Sequence, residues 1–267
     1  MTRYRLTVQY VGTAYSGWQI QQNAPTVQGA MEEALYALTG EKAKVCGVGR
    51  TDEGVHAEGF VAHVDLMREI TPRKLCLGLN RFLPQDISVV DVAVTDADFD
   101  ARFSAVSKTY VYRLYVSPFR HALLDESHVQ VYQPLDLGQM RRAAALMVGK
   151  HDFGAFRSLG SNLKGTVREV LSVDIQTQQR SSAEVIEIYV TGNAFLYNMV
   201  RNMAGVLVWV GQGRLTVEEV ADMLRLGKRV KHYKTLPPKG LTFVSADYTD
   251  WRKKRAVSVE KEQKQPE

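Results

Sequence analysis

YRLTVQYV, residues 4–11, alternates apolar with polar side chains and predicts a strand with one buried face. Outward from it, a loop rich in Gly, Ser, Asn and Pro fills 12–25, and Val27–Leu38 has helical spacing. Lys44–Val48 and Phe60–Leu66 are β-rich runs, Pro72–Phe82 predicts a helix and Ile87–Val94 a strand. The order is βαββαβ. The rest of the chain repeats it: strand Lys108–Val116, helix Leu137–Val148, and strands Val167–Ile175 and Val185–Thr191. Helices Phe195–Val210 and Val217–Leu226 follow, then a closing strand Leu241–Tyr248, so one helix is doubled. Two tandem ferredoxin-like units are the simplest account: an α+β fold of α/β type, with antiparallel sheets each covered by helices on one face. The boundary is expected near Phe103–Val106, giving domains 1–104 and 105–250. The polar, aperiodic stretch 251–267 is expected to be a disordered basic tail.

Hydrophobic residues make up 45% of the 267 and charged residues 24%, the balance of a chain with an ordinary buried core. No run of about 18 apolar residues exists, so no membrane-spanning helix is expected. The N-terminus runs straight into strand-like sequence without an apolar leader, which makes a cytoplasmic protein the expectation. Cys46 and Cys76 share no spacing motif and read as small buried hydrophobes. Charge is unevenly spread: 10 basic against 13 acidic residues in 1–104, 18 against 13 in 105–250, and 6 against 3 in 251–267. A polyanion would be held mainly by the second half and the tail. Charge alone leaves an ordinary basic surface equally open.

The most unusual segment is GVGRTDEGVHA, residues 47–57. It follows a short apolar strand, so Gly49 and Gly54 bracket a tight loop presenting Arg50, Thr51 and Asp52 at a sheet end. Loops held by rigid strands are where catalytic groups tend to sit, although Asp and Gly are also ordinary turn residues.

With Gly49–Ala57 unbroken as G-R-T-D-x-G-V-H-A, the chain resembles the TruA-type tRNA pseudouridine synthases, the tRNA pseudouridine synthase A family. Further blocks agree in order: Tyr10–Gly12 through Gly17–Gln19, Thr26–Gln28, Phe99–Tyr112 (FDARFSAVSKTYVY) and Asn193–Gly205 (NAFLYNMVRNMAG). Together they span nearly everything from Tyr4 to Tyr248. Two positions depart: the final strand reads KGLTF at 239–243, where the family more often has Ala-Gly-Leu-x-Leu, and Glu53 stands where alanine is common. The resemblance implies an isomerase that converts uridine to pseudouridine in the anticodon stem-loop, at tRNA positions 38–40. It also implies an active-site cleft between the two domains and a homodimer with tRNA spanning both copies. Asp52 is the implied catalytic carboxylate. Tyr110 lies against the target uracil, Arg50 holds the everted nucleotide or fills its space, Arg201 pairs with Asp52, and Leu241 lines the pocket. The reaction breaks N1–C1′, turns the base and joins C5 to C1′. No atom enters or leaves, so no metal or redox cofactor is expected.

Arg201 also carries a geometric expectation. Phe195, Leu196, Met199, Met203, Val206 and Val210 form one helical stripe, and Arg201's neighbours on the opposite side are also largely apolar. A helix apolar nearly all round is buried, so its guanidinium would need an anionic partner. His56 and His63 near Cys46 lack metal-ligand spacing. Tyr112 and Tyr115 read as the aromatic face of a strand. Arg141, Arg142 and Lys150 read as a solvated face, and Arg225–Lys234 (RLGKRVKHYK) as a phosphate contact. The competing function is a non-catalytic RNA-binding protein or tRNA chaperone built from paired RRM-like modules. It would call for an aromatic RNP1 run, which the chain lacks, and an inactive relative would be expected to have lost Asp52.

Overall fold

The computed structural model describes residues 1–158, 165–180 and 182–252. The chain groups into two compact units, Met1–Lys108 together with the chain from Phe243 on, and Thr109–Thr242.

In the first unit, β1 (Thr2–Tyr10) sits between β3 (His56–Leu66) and β4 (Ile87–Val94), antiparallel to both. Leu6 faces Ala62 on one side and Val92 on the other. Tyr4, Leu6 and Val8 are fully buried while Arg5, Thr7 and Gln9 are not, which is the alternation visible in the sequence. Each such side chain contributes about 1.5–3 kcal/mol of burial. The far edge of β3 is shared. β2 (Cys46–Gly47) pairs there at His63 and Ala62, and β10 (Leu241–Asp247) runs beside it near Gly59.

The expected strand 44–48 is reduced to those two residues of β2. Gly47 lies directly against Trp18 and Phe60, where a Cβ would come within 2.6 Å of either ring, so the backbone there pairs with β3 and also serves as a floor for the aromatics.

Helix α1 (Val27–Thr39) starts where Thr26 Oγ1 accepts from Gly29 N at 3.2 Å and stops at left-handed Gly40. Helix α2 (Pro72–Phe82) has Pro72 at its first turn, buries Leu75 and Leu79, and packs against α1 where Gly78 meets Leu38. Its Asn80 donates to Val89 O at 2.7 Å and accepts from Val89 N at 2.8 Å, strapping α2 to β4 at the bulge beside Val89.

The second unit holds the rest of β5 (Ser107–Val116) and the strand order β5-β9-β8-β7. β8 (Val167–Arg180) and β9 (Ala183–Gly192) form a long antiparallel hairpin, with Ile175 opposite Ile188. Helix α4 (Leu137–Leu146) packs on β8 and on α5 (Met199–Gly211). Helix α6 (Val217–Leu226) carries a complete Thr216/Glu219 capping box and ends at left-handed Gly227. Three short elements had no sequence signal: α3 (Ala122–Asp125), β6 (Val129–Val131), which runs parallel to β5, and β7 (Gly149–Asp152). Three or four residues are too few to show a period.

The architecture is that of two ferredoxin-like units, and the division between them passes through β5 and β10. From Phe243 on, the closing strand groups with the first unit. Two expectations need correction. The helix expected from Phe195 starts at Met199, because Asn198 is left-handed (φ 58°) and interrupts the turn. The tail expected from 251 begins with two anchored residues. Trp251 lies edge-on to Phe99 at 5.8 Å and donates its backbone N–H to Tyr248 O, and Arg252 pairs with Asp96. The remainder, from 253, lies outside the described residues.

Candidate active site

The Arg50–Val55 loop joins β2 to β3 in the first unit, and backbone contacts fix it on both sides of Asp52. Before it, Thr51 is buried, its hydroxyl 2.8 Å from Tyr10 Oη, and its carbonyl accepts from Trp18 N at 3.2 Å. After it, Val55 N donates to Asp52 O at 3.2 Å, closing a turn whose third residue, Gly54, has φ 74°. Gly54 N donates in turn to Tyr15 O at 3.3 Å. At the base, Lys108 Nζ donates to Val48 O at 2.7 Å. Asp52 is half-buried, with exposed Arg50 and Glu53 on either side of the Thr51–Asp52 pair. The chain therefore spends its backbone polar groups on holding the turn and presents the carboxylate from a rigid mount.

Two glycines of the 12–25 loop make that mount possible. A Cβ on Gly12 would fall 2.0 Å from Val55 O, and one on Gly17 2.4 Å from Thr51 O, with Gly17 also at φ 90°. The sequence shows only a loop rich in Gly, Ser, Asn and Pro there, and the close approach of its two glycines to the 51–55 backbone has no local signal. Gly17→Ala is expected to destabilise the protein by about 2–4 kcal/mol, the sum of left-handed strain and overpacking against backbone. Gly40→Ala, also at positive φ but with nothing within 4 Å, isolates the strain alone and should cost only about 1 kcal/mol. Equal urea midpoints for the two variants would show that the close approach at Gly17 does not matter.

The two histidines are staples for these loops: His56 Nδ1 accepts from Gly12 N at 3.1 Å and His63 Nδ1 from Ala101 N at 3.0 Å. Burial holds the His63 imidazole below its usual pKa, which suits an acceptor nitrogen. Among the described residues no three His, Cys, Asp or Glu side chains gather as metal ligands. Cys46 and Cys76 are half-buried thiols, raised above their ordinary pKa by burial. An open groove along α1, walled by Gln19, Gln22, Gln28, Glu32 and Tyr36, is separate from Asp52.

In the second unit, Tyr110 on β5 is half-buried with its ring edge-on to Phe195 at 5.2 Å. Tyr112 and Tyr115 are fully buried, as a strand's aromatic face should be. Tyr112 Oη donates to Pro237 O at 2.7 Å, and burial pushes its ionisation far above the ordinary range. Leu241, at the start of β10, is buried.

Arg201 lies in the first turn of α5. Eleven of that helix's thirteen residues are buried, and Arg201 is one of the two half-buried ones rather than sealed in the core. Its Nε donates to Leu236 O at 2.8 Å and its Nη1 to Asn198 Oδ1 at 2.6 Å. Of the basic run 225–234, Arg225 pairs with Asp222, Lys231 with Glu219, and Arg229 donates to Ala155 O and Arg157 O beneath Tyr233. Lys228 and Lys234 remain exposed. The run is therefore not one uniform solvated patch, since Arg225, Arg229 and Lys231 each have a partner within the protein.

Known proteins resemble this chain over most of its length. A family described as tRNA pseudouridine synthase matches residues 6–104 and 143–249. A tRNA pseudouridine synthase A from Allorhizobium ampelinum is 44% identical over 259 residues, covering 94% of this chain and 98% of that one. One from Syntrophotalea carbinolica is 45% identical, covering 93% and 97%, and one from Myxococcus xanthus is 41% identical, covering 94% and 93%.

Proposed function

The chain belongs to the tRNA pseudouridine synthase family, and we propose that it acts on the anticodon stem-loop of tRNA with Asp52 as its catalytic carboxylate. Its reaction is the isomerisation of uridine to pseudouridine. The observation that carries the assignment of Asp52 is its half-exposed carboxylate on a turn pinned at Thr51 and Gly54. During cleavage of N1–C1′ the sugar gains oxocarbenium character, and a carboxylate serves that step by bonding to the sugar or by removing a ribose proton. The detached uracil then turns, C5 bonds to C1′, and the C5 proton leaves while N1 gains one. Arg201 supplies a substrate-binding cation in this reading. Arg50 holds the everted nucleotide, and Leu241 walls the pocket. The base must leave its stack to react, and Tyr110 replaces the lost stacking. The working form in this reading is a cytoplasmic homodimer, with tRNA drawn by the basic excess of residues 105–250.

The deciding experiment is incubation with unmodified tRNA transcripts followed by site-resolved pseudouridine detection. Conversion within the anticodon stem-loop is expected. Conversion confined to other regions would overturn the positional part, and none at all would overturn the activity.

Tyr110→Phe should bind tRNA normally and lose about 10²-fold in turnover, because the ring stacks while the hydroxyl relays a proton. Tyr110→Leu should weaken engagement of the base as well. Equal turnover in Tyr110→Phe and the parent enzyme would leave the hydroxyl without a role.

A further inference from the structure

Helix α5 begins in an irregular way. A residue at a helix N-cap ordinarily has extended backbone and a side-chain oxygen accepting from the first turn. Asn198 does neither. Its backbone is left-handed at φ 58°, ψ 13°, and its side chain makes no capping bond to the helix. A non-glycine residue in that region is strained and persists where its surroundings fix it. Here the side chain supplies the reason. Oδ1 accepts from Arg201 Nη1 at 2.6 Å, and Nδ2 donates to Ser158 Oγ at 3.0 Å. A guanidinium has only donors, so the amide oxygen must face it, and the serine contact fixes the other end of the amide.

We propose that Asn198 is a positioning residue for Arg201, its left-handed backbone aiming the amide that locks the guanidinium plane. The proposal rests on the reading of Arg201 given above. Arg201 is held at two different nitrogens, Nη1 by Asn198 and Nε by Leu236 O, and two anchors on a rigid planar fork remove its rotation. Asn202, one turn later, is a contrast. It is fully buried, and its amide cross-links Phe156 O to the Thr235 hydroxyl, which is a purely structural use of the same side chain.

The test is Asn198→Gly, because glycine accepts the left-handed backbone and deletes only the amide. Expected are a melting temperature within about 3 °C of the parent, KM for tRNA within about twofold, and kcat lowered about 10–30-fold, as for a misaimed group. In an Arg201→Met background the same substitution should change kcat by less than about twofold, since residues acting as one unit are not additive. Parent-like kcat in Asn198→Gly, with Arg201→Met inactive, overturns the proposal alone. Parent-like kcat in Arg201→Met overturns the reading of Arg201 and the proposal with it. A melting temperature lowered by well over about 3 °C, or a KM raised by as large a factor as kcat falls, assigns Asn198 a structural role and also overturns it.

Discussion

Asp52→Asn is expected to lower turnover by about 10⁴-fold or more while leaving tRNA affinity within about twofold. The substitution keeps the shape of the side chain. The turn should survive it, since the Asp52 main-chain oxygen, not the carboxylate, accepts from Val55 N, and the neighbours Thr51 and Gly54 keep their own bonds to Tyr10, Trp18 and Tyr15. Affinity for a polyanion comes from many phosphate contacts, so one neutralised carboxylate changes it little. In the proposed mechanism the chemistry depends on it: an amide neither stabilises a cationic sugar nor bonds to it as a carboxylate does. Single-turnover rates beside filter-binding curves separate the two effects. A rate within tenfold of the parent would remove Asp52 from the bond-breaking step.

Arg201→Met should lose about 10²–10³-fold in kcat/KM, the scale of deleting one preorganised charge partner. Methionine fits the apolar surroundings of α5, so packing should hold. Arg201→Lys should recover only part of the loss, because an ammonium cannot meet Leu236 O and Asn198 Oδ1 while offering a flat fork. Parent-like kcat/KM in Arg201→Met would leave its guanidinium without a role in turnover.

Much of this fold was legible because its elements are long and periodic. Helices 72–82 and 217–226 and strand 87–94 fall where their spacing placed them, and β1 buries the alternate residues that the pattern marks. What the pattern missed has physical causes. α3, β6 and β7 are stabilised by neighbours rather than by their own three or four residues. The start of α5 is set by an asparagine whose left-handed backbone answers to a tertiary contact, which no local propensity reports. At the site, the motif 49–57 drew attention to Asp52. The glycines that hold its turn lie more than thirty residues earlier, and their meaning depends on distances to Thr51 O and Val55 O. The basic run 225–234 looked uniform in sequence, yet three of its cations are occupied by Asp222, Glu219 and two carbonyls.

Because residues 243–247 of β10 complete the first unit beside β3, that unit is not finished when its first 108 residues leave the ribosome. Residues 109–242 must be made before its last strand exists, a wait of about 7–27 s at bacterial and eukaryotic elongation speeds. During that interval the β3 edge near Gly59 offers unpaired amides and carbonyls to any passing strand. A fragment ending near residue 108 would carry that exposed edge permanently and should aggregate, so the first unit depends on the late arrival of its closing strand.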